Sequence, residues 1–69
     1  MVSVNYEKLW KMLEEHNMKK MDLVAATKIS TNALAKLGRN EDVRVNILVR
    51  ICSYFNCKLD DIVEIEKND

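Results

Sequence analysis

Sixty-nine residues suffice for one domain with a modest core and leave no room for a second. A hydrophobic share of 48% rules out a disordered chain, and no proline with one glycine disfavours hairpins and β-sandwiches. The 11 basic and 11 acidic residues cancel, and no apolar run approaches the roughly 20 residues that cross a bilayer.

The chain opens on MVSVNYEKL, which lacks the basic-then-apolar layout of a signal peptide, so a cytoplasmic location is expected. Residues 2–5 read as a loose lead-in. A first helix is predicted over 6–16, because Tyr6, Leu9, Trp10 and Leu13 recur on one face. Asn5 suits its N-cap, and Glu7 and Lys11 form an i, i+4 pair. Trp10 belongs to the core or its rim, and base stacking is the weaker reading. His16 suits a helix C-terminus, and no carboxylate or cysteine spacing makes it a base or a metal ligand.

The most informative stretch is KKMDLVAATKISTNALAKLG, residues 19–38. It reads as two short helices around a tight turn. The first opens at 19 or 20 and closes near 27, with Leu23 and Ala26 inward. Two lysines at its start oppose the helix dipole, which makes sense if Lys19 and Lys20 hold a phosphate there. Ile29 plugs the turn, Ser30 caps the second helix, and Gly38 is expected to close it with positive φ. With Leu34 and Leu37 inward, Thr31, Asn32 and Lys36 face outward, and such a helix suits the DNA major groove. Arg39 and Asn40 follow directly and are placed to touch phosphates, with Val43 as a loop anchor.

A fourth helix is predicted over 44–56 from Ile47, Leu48, Ile51, Cys52 and Phe55, the clearest amphipathic run in the chain. Asn56 is expected to end it with positive φ. Arg44 at its start repeats the cation-at-N-terminus pattern and again suggests a phosphate. A last short element over 58–65 has Asp60 and Asp61 in its first turn, with a terminal strand as the alternative suggested by IVEIE. The core is expected over about 5–65, with a frayed tail at 66–69. Cys52 and Cys57 read as small core thiols. Charge is unevenly distributed: residues 1–39 carry seven bases against four acids, +3, and residues 40–69 carry four against seven, −3. The half with the two-helix motif is therefore the one suited to a polyanion.

Taken together, Leu23, the Lys28-Ile29-Ser30 turn, Leu34, Leu37, the run 45–52 and the segment Phe55-Asn56-Cys57-Lys58-Leu59-Asp60-Asp61-Ile62 resemble the Cro/CI repressor-type (Xre family) helix-turn-helix domain. The resemblance covers nearly the whole chain. It implies an all-α, five-helix lambda-repressor-like bundle whose second and third helices form the motif. It also implies sequence-specific binding of double-stranded DNA. Thr31, Asn32 and Lys36 match base-reading positions, and Ala33 a contact to a thymine methyl. Lys20, Ser30, Arg39, Asn40 and Arg44 match regions that hold phosphates. Lys28 and Asn40 stand where many members carry glycine, Val24 replaces a small residue, Gly38 a frequent glutamate, and Arg44 a serine N-cap.

A homodimer on a pseudo-palindrome is expected, since one short helix reads only a half-site. Its surface is expected around Tyr54, Ile62, Val63 and Ile65 in the acidic half. No cofactor, metal, membrane or small-molecule substrate is expected. A helix-turn-helix adaptor or antitoxin-like protein-interaction module is the rival reading, favoured by the near-neutral pI of 6.6. An enzyme is disfavoured because one histidine and no phosphate loop assemble no catalytic group.

Overall fold

The computed structural model describes residues 2–67. In chain order these form β1 (Val2–Asn5), α1 (Glu7–Glu15), α2 (Lys20–Thr27), α3 (Thr31–Gly38), α4 (Val45–Phe55), a single 3-10 turn (Leu59–Asp61) and β2 (Glu64–Lys67). The predicted five-helix, all-α bundle is thus corrected to four helices and a two-stranded ribbon.

The ribbon joins the two ends of the chain. β1 and β2 run antiparallel, with Val2 opposite Lys67, Ser3 opposite Glu66, Val4 opposite Ile65 and Asn5 opposite Glu64. Asn5 Nδ2 also donates to Glu66 Oε1 at 3.0 Å. The expected lead-in is therefore a strand, and the tail begins later than predicted, since Glu66 and Lys67 are paired. Asn68 and Asp69 lie outside the described residues. In place of a fifth helix, Asp61 Oδ2 accepts the Lys58 amide at 2.9 Å and opens a single 3-10 turn, and the segment beyond it pairs with β1. Ile62 then drops into the core, and the β-branched alternation beyond it finds a backbone partner in β1.

α1 starts one residue later than expected. Tyr6 takes the N-cap position without a side-chain bond, and Asn5 Oδ1 instead accepts the Glu7 amide at 2.7 Å. The core is formed by Tyr6, Leu9 and Leu13, Leu23 of α2, Ile29, Ala33 and Leu37 of α3, Ile51 of α4, and Ile62. Trp10, Met18, Val43, Cys52 and Cys57 pack partly buried around it. Among the described residues no helix is long and apolar enough to cross a membrane.

A candidate nucleic-acid interface on the third helix

The two-helix motif is built from local chemistry. Asp22 Oδ2 accepts the Lys19 amide at 2.8 Å and opens α2. Leu23 and Thr27 are buried, and Thr27 Oγ1 returns its proton to the Leu23 carbonyl at 2.7 Å, so the hydroxyl is satisfied inside the core. Lys28 ends α2 at φ 60°, the left-handed conformation that glycine adopts most cheaply. Its amide donates to the Val24 carbonyl at 2.8 Å. Ile29 is buried directly behind the turn. Ser30, extended, accepts the Ala33 amide on Oγ at 3.0 Å and starts α3 as expected.

The faces of α3 differ slightly from the sequence reading. Ala33 and Leu37 are the buried pair, and Leu34 is half-buried. Thr31, Asn32 and Ala35 are exposed, and Lys36 is half-buried. Ala33 is only 8% exposed, which leaves a narrow strip of its methyl for any outside contact. Gly38 does not close α3 as predicted. It lies inside the helix, and no glycine has positive φ. The left-handed residue is Asn40, at φ 55°, which tolerates that conformation and uses its side chain there. Asn40 Oδ1 accepts the Tyr6 amide at 3.2 Å, and Tyr6 Oη donates to the Glu41 carbonyl at 2.8 Å. Burial, and then the negative charge of Asp42, push the Tyr6 phenol above its usual pKa. These two bonds tie the loop after α3 to the junction of β1 and α1.

Of the expected contact residues, Ser30, Asn32, Ala33, Lys36 and Arg44 come together around one shallow depression of about 280 Å³ between α3 and the start of α4, with Val43 and Ile47 as its apolar floor. Lys19 and Lys20 do not join it. They line a separate hollow with Trp10 and Glu14, where the Lys20 ammonium stands 4.6 Å from the Trp10 ring centre. Arg39 is engaged with Glu41, Nε to Oε2 at 2.7 Å. Arg44 begins α4 extended, with no side-chain cap on the helix. Among the described residues no group of histidine, cysteine and acidic side chains could hold a metal.

The surface expected for a dimer needs one correction. Ile62 is 0% exposed and is a core residue, so it has nothing to present to a second chain. Tyr54 and Ile65 are exposed, and Val63 is half-buried. Val45 and Val49 of α4 are also exposed, apolar side chains turned to the surface. The sequence reading missed the Tyr6–Asn40 tie and Arg50, whose Nη1 donates to the Lys28 carbonyl at 3.2 Å. Neither leaves a local signal, since their partners lie 34 and 22 residues away.

A comparison with curated proteins gives no match. Among solved structures, the fold is similar to the crystal structure (form II) of the transcriptional regulator VanUg. The sequences are 43% identical, the TM-score is 0.92, and the match covers 97% of this chain and 89% of that one. Residues 8–68 match the sequence profile of the Cro/C1-type HTH DNA-binding domain. The helix-turn-helix at α2–α3, the capped outward helix and this match over most of the chain make the protein a member of the Cro/C1-type helix-turn-helix DNA-binding family.

Proposed function

We propose that the protein is a sequence-specific, double-stranded-DNA-binding transcriptional regulator that acts in the cytoplasm as a homodimer on a pseudo-palindromic operator. The observation that carries this reading is the outward face of α3. Thr31 and Asn32 are exposed on a helix seated from behind by Ala33 and Leu37, with Lys36 and Arg44 beside them. The likeness to VanUg, a transcriptional regulator, supports a regulatory role.

In this proposal Asn32 pairs with adenine through N6 and N7, Lys36 reaches guanine O6 or N7, and Thr31 contacts a neighbouring base, while Ala33 serves the core. Ser30, Lys19, Lys20, Arg39, Asn40 and Arg44 hold phosphates and set register. For Lys20 and Arg39 this means exchanging the Trp10 ring and the exposed Glu41 for phosphate, and the second of these is a surface pair that water screens. Asn40 has only its Nδ2 to offer while Oδ1 holds Tyr6. Repression is the simplest outcome, because occupying an operator blocks polymerase without any further contact. The second protomer docks through the surface of Tyr54, Val63 and Ile65, on the acidic half that DNA repels.

Selection from randomised duplexes followed by salt titration tests this. An enriched pseudo-palindrome with a steep negative log–log slope is the expected result. The balanced charge favours a second reading, a protein-interaction module whose α3 meets a polypeptide. Absence of enrichment together with a shallow slope would select it.

A further inference from the structure

The turn between α2 and α3 carries a conformational cost and a brace. Lys28 sits at φ 60°, where a side chain is disfavoured by about 1 kcal/mol relative to glycine. Its amide is used by Val24, and its carbonyl receives the Arg50 guanidinium at 3.2 Å. Arg50 can hold a fixed point because the next residue, Ile51, is fully buried and anchors that turn of α4. No carboxylate competes for Arg50: the ion pairs among the described residues are Lys11–Glu7 and Arg39–Glu41. The hollow around it is lined by Lys28 itself with Ala26, Thr27, Val49, Ser53 and Tyr54, none of them acidic. Only Ile29 separates the braced carbonyl from the Ser30 cap, so a rotation at Lys28 moves the first turn of α3 and with it Asn32.

We infer that Arg50 is a positioning residue for DNA recognition: by holding the Lys28 carbonyl from α4 it fixes the left-handed turn, and so the angle at which α3 presents Thr31, Asn32 and Lys36. The inference rests on the proposal that α3 reads bases. Arg50 itself contacts no base in this account. Its effect is on discrimination between sequences, not on the general attraction to phosphate.

The test compares the full-length protein with Arg50→Met, Arg50→Lys, Lys28→Gly and the double variant Arg50→Met/Lys28→Gly. Each is measured on the best selected duplex and on a scrambled one across a salt series. Arg50→Met should lose about threefold in the ratio of the two affinities, the order expected for an exposed bond to a charged donor, with its salt slope unchanged. Arg50→Lys should recover part of the ratio. The double variant should recover most of it, because glycine adopts the turn without strain. A drop of about one in the salt slope, with equal loss on both duplexes, would make Arg50 a phosphate contact and overturn the inference. An unchanged ratio would overturn it as well. If the unaltered protein does not discriminate, the reading of α3 fails instead. Thermal unfolding without DNA then judges the brace alone: Arg50→Met should lower Tm in the Lys28 and Lys28→Gly backgrounds alike, since the carbonyl that Arg50 holds is backbone in both, and an unchanged Tm in both refutes it.

Discussion

Ser30, Lys28 and Tyr6 each set a different constraint on α3, and each gives a measurable cost. Ser30→Ala removes the acceptor of the Ala33 amide and should destabilise by about 1 kcal/mol in urea denaturation, with Ser30→Asp close to neutral. Lys28→Gly relieves the left-handed strain and should raise Tm by about 2–6 °C, the span for a net gain somewhat under 1 kcal/mol in a domain this size. Tyr6→Phe strands the Glu41 carbonyl and should cost about 1–2 kcal/mol. Alkaline pH acts on Cys52 and Tyr6. Burial, then the neighbouring Cys57 by charge and hydrogen bond, then Asp61, push the Cys52 thiol from the ordinary 9.0 to about 11. A raised folded-state pKa stabilises below the unfolded value and loses that stabilisation as pH rises through the folded one. Urea midpoints should therefore fall between pH 9 and 11, and Cys52→Ala should flatten much of that fall, leaving the Tyr6 contribution above pH 10.

At the scale of elements, caps and faces explain why four helices form where they do, and pairing explains why a fifth does not. Lys28 and Asn56 both end helices at positive φ, as their places just after apolar runs suggest. The same logic fails at Gly38, because α3 ends there without positive φ and the chain turns left-handed two residues later, at Asn40, which Tyr6 holds. Ile62 and Ile65 separate the two ways an isoleucine in this segment can be used. Ile62→Ala should cost about 2–5 kcal/mol, since the side chain is wholly in the core. Ile65→Asp, at 66% exposure on β2, should leave monomer melting nearly unchanged while raising the dimer dissociation constant in sedimentation. A wild-type sedimentation constant in Ile65→Asp would take β2 out of the proposed dimer surface. No local pattern distinguishes the two residues, because Ile62 is taken into the common core of the helices while Ile65 pairs with Val4, 61 positions earlier.

For the whole molecule the useful quantity is charge by region and not its sum. The +3 and −3 halves predict DNA contact from one side only. Four cations per protomer are proposed to face phosphates: Lys19, Lys20, Arg39 and Arg44. A dimer should then show a log–log salt slope of about −7, and a monomer about −3.5. The slope thus reports stoichiometry as well as binding, and a value near the smaller figure on the selected operator would argue against two protomers acting together.

The sequence by itself determined the first four helices, the turn between α2 and α3 and the family, while its fifth helix was not found. Caps, helical spacing and turn residues act within about four positions, so Leu23, Ser30 and Asn56 announce their roles locally. Only the tertiary structure decided the ribbon of β1 and β2, the burial of Ile62, the Asn40–Tyr6 tie and the Arg50 brace. Each of these joins backbone or side chains distant in sequence. Such bonds exist only once the chain has closed, because their partners are chosen by packing and not by neighbourhood.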